Sequence, residues 1–121
     1  MPSPMPKPSS SSVVVRSVDY AAVRRAVDEY VQRLLATRPE IEEIVIFGSF
    51  EQGNYAPGSD LDVFIILSQS DQPVRDRISA LLPGRFPVPT DVFPYTRGEM
   101  RSLTPSPLLE AVAQSRWRYR R

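Results

Sequence analysis

Two short runs of consecutive apolar residues constrain the fold of this chain more than any other feature. The first run, Ile44–Phe47, ends at Gly48, and the second, Val63–Leu67, directly follows the segment Asp60-Leu61-Asp62. Unbroken apolar runs that are rich in β-branched and aromatic residues are typical of strands buried on both faces of a sheet. The sequence therefore predicts a central sheet with strands at Ile44–Phe47 and Asp60–Leu67.

Helical periodicity is found on both sides of these runs. Apolar residues recur at helical spacing from Ser17 to Leu35, and Pro39 marks the end of this predicted helix. A second helix is predicted over Asp71–Leu82, with Pro73 in its first turn. Its predicted inward face consists of Val74, Ile78, Leu81 and Leu82.

The remaining chain predicts a third strand and two more helices. Val88–Tyr95 has strand composition, and its two prolines place it near an edge of the sheet or make it short. Thr96 and Glu99 have the spacing of a capping box, so a short helix is predicted to begin at Arg97. A last helix is predicted from about residue 105 to residue 115.

The final segment, Arg116–Arg121, alternates basic with aromatic residues. Such a pattern suits a surface that grips single-stranded nucleic acid. Its short length favours the other interpretation, which is a terminal edge strand with Trp117 and Tyr119 turned inward.

Together these elements predict one domain of the mixed α/β (α+β) class, in the order α-β-β-α-β-α-α. The sheet is expected to be short and covered mainly on one side by helices. Residues 1–12 are mostly proline and serine with one lysine, a composition that predicts a disordered tail, so the domain is expected to span residues 13–121.

The amino-acid composition excludes several kinds of catalytic and metal-binding site. The chain has no Cys and no His, which excludes catalytic triads, histidine acid–base catalysis and Cys/His metal sites. Carboxylates, hydroxyls, basic residues and oxygen-liganded metals such as Mg²⁺ remain. The net charge of +1 favours neither nucleic acid nor a membrane as a partner. No apolar run approaches the ~20 residues that span a bilayer, and no signal peptide is recognisable, so a cytoplasmic location is expected.

Three aspartates interrupt the predicted strands. Asp60 and Asp62 lie two residues apart, roughly 7 Å along one face of the second strand. Burying unpaired carboxylates there costs several kcal/mol, and neither adjoining strand contains a basic residue. Asp91 repeats the pattern on the third strand. A divalent cation, Mg²⁺ or Mn²⁺, held by Asp60, Asp62 and Asp91 would supply the missing positive charge.

Gly48 and Ser49 follow the first strand, where free backbone N–H groups and the Ser49 hydroxyl could contact a phosphate. Taken alone, Gly-Ser is a common turn, and Asp60 alone could simply begin a strand. Their occurrence together with Asp62 and Asp91 favours a metal site. Two metal ions about 4 Å apart in such a site support nucleotidyl transfer.

These motifs resemble a known family. The segments Gly48-Ser49-Phe50-Glu51-Gln52-Gly53 and Gly58-Ser59-Asp60-Leu61-Asp62-Val63 are similar to the glycine–serine and paired-aspartate motif of the minimal nucleotidyltransferases, in the DNA polymerase beta superfamily. The resemblance extends over about Val18–Tyr119 and implies the small nucleotidyltransferase fold. It further implies that Asp60, Asp62 and Asp91 bind metal, that Asp91 helps to activate the acceptor, and that Ser49 holds the triphosphate. Gln52 stands where family members often carry Arg.

The resemblance also suggests a biological role. Short members of the family are commonly antitoxins of HEPN-domain ribonuclease toxins, which they bind and in some cases adenylylate. The chain is thus expected to move AMP from ATP to a hydroxyl on such a partner. Its docking surface is expected at the edge near Asp91 or in the segment Leu108–Arg121. The alternatives are an antitoxin that acts by contact alone and an enzyme that modifies small molecules unaided.

Overall fold

The computed structural model describes residues 18–121, which form five helices and one four-stranded sheet. The predicted disordered tail and the predicted start of the domain at Val13 lie outside these residues. In chain order the elements are α1 Tyr20–Thr37, β1 Ile41–Phe47, α2 Ser49–Gln52, β2 Leu61–Leu67, α3 Val74–Leu81, β3 Thr90–Thr96, α4 Arg97–Leu103, α5 Pro107–Gln114 and β4 Trp117–Arg120.

The sheet is mixed, with strand order β3-β2-β1-β4. β1 is antiparallel to both of its neighbours, whereas β2 and β3 are parallel. The edge position of β3 confirms the inference drawn from its prolines, and β4 is the terminal edge strand that the alternating tail predicted. Trp117 is buried in this strand and Tyr119 is half-buried, so the aromatic residues do face inward.

Alternating side chains give the sheet two apolar faces of unequal size. On the first face, residues such as Ile44, Ile46 and Val63 pack against α1 and against Leu81 of α3. The second face carries a smaller cluster beneath α4 and α5, built around five buried residues: Val45, Phe47, Phe64, Ile66 and Val112. This arrangement confirms the predicted α+β fold class with a short mixed sheet, and helices lie on both faces, α1 and α3 on the larger and α4 and α5 on the smaller.

The long helix α1 begins and ends for local reasons. Asp19 caps its start, because the Asp19 carboxylate accepts a hydrogen bond of 3.0 Å from the backbone N–H of Ala22. The helix buries one stripe against the first face, namely Val23, Val27, Tyr30, Val31 and Leu34. It stops at Arg38, one residue before Pro39. Among residues 18–121, neither this helix nor any other is long and apolar enough to cross a bilayer.

Several predicted boundaries differ from the structure. β1 begins earlier, at Ile41, and Asp60 precedes β2 instead of lying within it. α2 was not predicted as a separate element. α3 begins at Val74, and Leu82 is its C-cap with an extended backbone, so the Leu82 side chain turns outward and is 48% exposed. The predicted inward position of Leu82 was therefore wrong.

The predicted capping box at the start of α4 is confirmed and is part of a larger network. Glu99 accepts a hydrogen bond from the backbone N–H of Thr96, and the Thr96 hydroxyl accepts one from the backbone N–H of Glu99. Both Glu99 carboxylate oxygens also pair with the buried guanidinium of Arg77, at 2.7 and 2.9 Å. Arg77 donates further to the carbonyls of Gln72 and Pro94. One side chain of α3 thereby joins β3 to α4.

We expect Arg77→Met to lower the free energy of unfolding by about 2–3 kcal/mol, because it leaves two backbone carbonyls and Glu99 without their donor. Arg75→Met is the matched control on the same helix, since the Arg75 side chain is 89% exposed. The control should cost less than about 0.5 kcal/mol. Urea unfolding of both variants measures the difference, and equal losses would contradict a bracing role for Arg77.

Candidate active site

The parallel pairing of β2 with β3 brings two of the three predicted aspartates together. Asp62 and Asp91 are direct register partners, and Phe47 at the end of β1 is the partner of Asp62 on the other side. Because side chains alternate along strands, both carboxylates project from the second face. They lie where β1 ends and where β2 and β3 begin, beyond the cluster that α4 and α5 cover.

Asp60 lies next to this pair. It is exposed and precedes β2, and its charge is close enough to affect Asp62. Burial, and after it the negative charges of Asp91 and Asp60, together raise the pKa of the Asp62 carboxyl to about 6. The ion pairs within residues 18–121 include none of these three aspartates. The site thus concentrates negative charge without a basic partner from the described chain.

Gly48 is fitted closely to this cluster. Its φ of +84° is a backbone conformation that favours glycine, and a Cβ at this position would collide with the Asp62 carboxylate. The glycine is needed for both reasons. Ser49, which begins α2, directly follows this glycine in the chain.

The short helix α2 is held in place by aromatic packing. Phe50 is buried, and its ring stacks on that of Tyr55 with centroids 4.9 Å apart. The other neighbour of Tyr55 is Tyr20 at the start of α1, at 5.4 Å. These contacts anchor the loop between Gly48 and Asp60 to the first face, because each ring in the row packs against the next.

The donor set suits a hard divalent cation. Mg²⁺ in proteins is commonly held by one or two carboxylates, with waters and substrate phosphates completing its shell. Asp62 and Asp91 supply such a pair, and the uncompensated charge on Asp62 favours a cation there. Among residues 18–121, no three acidic side chains are arranged as a group that could hold a metal ion. The phosphate oxygens of a substrate would complete the coordination shell of a cation held by Asp62 and Asp91.

Comparisons with known proteins agree with this geometry. The model of a protein family described as "Nucleotidyltransferase domain" matches residues 24–101, which is more than half of the chain. The chain belongs to the nucleotidyltransferase domain family. No curated protein matches it significantly. A solved structure of a provisionally named nucleotidyltransferase from Sulfolobus solfataricus has a similar fold, with a TM-score of 0.54 and 24% sequence identity over 79% of this chain and 84% of that one.

The nucleotidyltransferase domain has two site features that sequence reasoning missed. A groove of about 540 Å³ runs between α3 and β3, with Asp91 and Phe93 in its wall. Phe93 also packs on Phe47, with ring centroids 5.5 Å apart, on the face that carries the aspartates. Strand alternation could have placed Phe93 beside Asp91, but the groove depends on where α3 packs. Within the segment Leu108–Arg121, Trp117 is buried in the core, so its side chain is not presented at the surface.

We expect Gly48→Ala to destabilise the domain more than Gly53→Ala does. Both glycines have a φ of +84°, but Gly53 has a ψ of 6°, in the left-handed helical region, where Ala costs about 1–2 kcal/mol. Gly48 has a ψ of −151°, a conformation almost restricted to glycine, so its backbone strain with Ala is larger. Only at Gly48 does the added Cβ also meet the Asp62 carboxylate, which adds about 1–3 kcal/mol of overpacking. Urea unfolding compares the two variants. Adding Asp62→Ala should restore the part of the loss at Gly48 that comes from this contact, and no restoration at all would contradict the contact.

A second expectation concerns pH. The Asp62 carboxyl has a pKa of about 6 in the folded chain and an ordinary value of 3.8. The folded protein therefore binds more protons than the unfolded chain between these values, and its stability falls as pH rises through this window. Asp62→Asn removes the titrating group and with it this loss.

In chelating buffer, Asp62→Asn should have a higher melting temperature than the wild type at pH 7. The gain should shrink as pH falls towards 4, where the folded wild-type carboxyl is protonated and no longer carries the cost of a buried charge. Asp71→Asn, at an exposed aspartate beyond the opposite end of β2, is the control and should show no such trend. A stability gain at Asp62 that is constant from pH 4 to pH 7 would contradict this electrostatic account.

Proposed function

We propose that this nucleotidyltransferase moves a nucleoside monophosphate, AMP from ATP, onto a hydroxyl of a partner protein. The observation that carries the proposal is the register pairing of Asp62 with Asp91 on one face, with Gly48 against the Asp62 carboxylate. This arrangement offers two adjacent carboxylates to a metal and a glycine that permits close approach of a phosphate. Membership of the nucleotidyltransferase family supports the general reaction.

Asp62 and Asp91, with Asp60 beside them, would hold Mg²⁺ or Mn²⁺. The ions would supply the positive charge that the site lacks and would polarise the α-phosphate of the substrate. The residues of the chain then have separate tasks. Gly48 leaves room for the Asp62 carboxylate, and the Ser49 hydroxyl donates to a phosphate oxygen.

Asp91 is the residue that would activate the acceptor hydroxyl. It is exposed, in contrast to the half-buried Asp62, so an incoming hydroxyl can reach it. In the reaction, the acceptor oxygen forms a bond to the α-phosphorus while the bond from that phosphorus to the bridging oxygen of the β-phosphate breaks. Pyrophosphate leaves with that oxygen, and the hydroxyl proton passes to the Asp91 carboxylate and then to solvent.

The backbone of β3 supports an extended protein segment as the acceptor. The N–H of Leu61 donates to the carbonyl of Pro89, so in the parallel register that follows, Asp91 directs its backbone groups towards β2. Thr90 and Val92 direct theirs outward. Further along, the carbonyl of Pro94 is already taken by Arg77. Val92 is buried and Thr90 is half-buried, so the accessible part of this edge is at Thr90, beside the exposed Asp91.

An extended segment bound at Thr90 would run beside the groove between α3 and β3, with alternate side chains directed towards it. The groove has apolar walls from α3, including Val74 and Ile78, and Asp91 lies on its β3 side. A hydroxyl residue carried by such a segment would be held near the carboxylates at the short distance that transfer requires. The edge near Asp91 is accordingly the preferred docking surface, ahead of the segment Leu108–Arg121.

The nature of the partner follows from the resemblance to minimal nucleotidyltransferases, which points to a HEPN-domain ribonuclease toxin. In this role the domain is an antitoxin that forms a hetero-oligomer with the toxin and adenylylates it. Co-expression with the product of the neighbouring gene, followed by intact-mass analysis of both chains, tests the assignment. The expected result is a stable complex in which the partner gains AMP-sized increments.

We expect the double variant Asp60→Asn with Asp62→Asn to abolish transfer and metal-dependent binding of a non-hydrolysable ATP analogue, measured by calorimetry. The reason is that it removes the charge that would hold the cation. Asp71→Asn is again the control and should behave as the wild type. The double variant could instead neutralise the partner as effectively as the wild type does while the partner gains no AMP. That outcome would favour an antitoxin that acts by contact alone.

A further inference from the structure

The strand β4 forms the edge of the sheet opposite to β3 and carries backbone groups that point away from the sheet. The backbone N–H of Arg121 donates to the carbonyl of Glu42. Because the pattern alternates along an antiparallel pair, the backbone groups of Tyr119 also face β1, whereas those of Arg118 and Arg120 face outward. No hydrogen bond within the described part of the chain uses these outward groups. They are therefore open to a further strand.

The side chains along this edge are strongly basic. Four of the six residues in Arg116–Arg121 are arginines, and none is acidic. The buried Glu43 of β1 accepts hydrogen bonds from the Nε atoms of both Arg118 and Arg120, at 2.6 and 3.0 Å. One carboxylate thus orients two guanidinium groups and leaves the pair with a net positive charge. The Arg120 side chain is 73% exposed, so its other N–H groups can reach an acidic ligand.

A second copy of this chain is a poor partner for the edge. The backbone of β4 does not block pairing, since the strand contains no proline and its register with β1 is continuous. Two antiparallel copies of β4 would, however, set arginines directly opposite arginines, and like charges in such pairs are destabilising. The same charges favour a strand that carries acidic residues.

The aromatic residues of β4 are not available for stacking on nucleobases. Trp117 is buried, and the guanidinium carbon of Arg24 lies 4.3 Å from the centre of its ring. The Tyr119 hydroxyl donates to Asp28 and accepts a hydrogen bond from Nε1 of Trp117. Proteins that bind single-stranded nucleic acid rely on exposed aromatic rings for stacking. The edge therefore favours a peptide over nucleic acid.

A groove of about 450 Å³ lies beside the same arginines on the second face of the sheet. Its apolar walls include Ile66 of β2 and Leu109 and Val112 of α5, and Arg118 and Arg120 lie on its β4 side. In an added strand, the side chains opposite these two arginines would project to the same face. The groove can thus accept an apolar side chain of a strand whose next residues on that face are acidic.

We propose that the edge of β4 binds an extended acidic segment of a partner protein, which adds to the sheet as an antiparallel strand. Backbone hydrogen bonds to Arg118 and Arg120 would fix its register, and its carboxylates would pair with the guanidinium groups. Because β3 and β4 are opposite edges, a partner anchored here leaves the edge near Asp91 free. Such binding requires neither a nucleotide nor a metal ion, so it goes beyond the proposed transfer.

The first experiment titrates the full ¹⁵N-labelled chain with a seven-residue peptide, Thr-Glu-Thr-Leu-Thr-Glu-Thr, with blocked termini. We expect the backbone amide signals of Arg118 and Arg120 to shift, and a peptide with lysine in place of both glutamates to cause no shift. Arg120→Gln should weaken binding about two- to fivefold, while Arg118 keeps Glu43 paired. Arg75→Gln, which changes the net charge equally at an 89% exposed side chain, is the control and should bind as the wild type does.

Backbone methylation of the peptide separates strand addition from attraction by charge alone. In an antiparallel added strand, the residues opposite Arg118 and Arg120 direct their N–H groups to β4, and these residues are the glutamates and the leucine. Methylating their nitrogens should weaken binding at least about tenfold, because the hydrogen bonds to β4 are lost. Methylating the threonine nitrogens, which face away from β4, keeps the charge and should change binding less than about twofold.

Several results would overturn the assignment of this edge. Equal weakening by the two methylation patterns would show that charge alone attracts the peptide. Amide shifts centred on Thr90, or the absence of any binding by the acidic peptide, would remove β4 as the docking site. A single-stranded oligothymidylate that binds tighter than the peptide at Arg118 and Arg120 would assign the surface to nucleic acid.

Discussion

The parallel register between β2 and β3 is the constraint on which the site depends. It sets Asp62 opposite Asp91, and a shift of one residue would turn one of these carboxylates into the core. The register is held by the alternate residues on the first face, such as Val63, Ile65 and Val92, which are all buried. Each buried side chain of this kind contributes about 1.5–3 kcal/mol. The packing of apolar residues on the first face therefore holds Asp62 and Asp91 side by side on the second face, although both carry a negative charge.

Because of Arg77, the two halves of the edge strand β3 differ in the contacts that their outer edge makes. Its guanidinium holds the carbonyl of Pro94 and the carboxylate of Glu99, so the second half of the strand is fixed to α3 and α4. A buried guanidinium requires several partners, and here the strand edge supplies one of them. In the first half, Val92 is buried, whereas Thr90 is half-buried and adjoins the exposed Asp91. The accessible part of the edge is thus the beginning of the strand, next to the candidate site.

Much of the fold was predictable because it depends on local patterns. The two apolar runs, the capping box at Thr96 and the prolines of β3 each identified their element, and alternation placed Trp117 inward. Leu82 was misplaced because helical spacing does not show where a helix ends, and here the chain becomes extended at that residue. The buried Arg77 and the groove beside Asp91 were missed for a related reason, since both arise from the packing of α3 against β3. Metal and nucleotide binding by the site residues stay predictions.

The unbalanced charge at Asp62 also links ligand binding to stability. With a pKa of about 6, this carboxyl is largely ionised at neutral pH, so the folded chain carries the cost of its burial and of two negative neighbours. A cation bound only by the folded state would offset that cost and raise the stability of the domain by mass action. The chain has no histidine or cysteine that could share this task. The negative charge at Asp62 that lowers the stability of the domain without a ligand is therefore the same charge that would attract a metal–nucleotide complex.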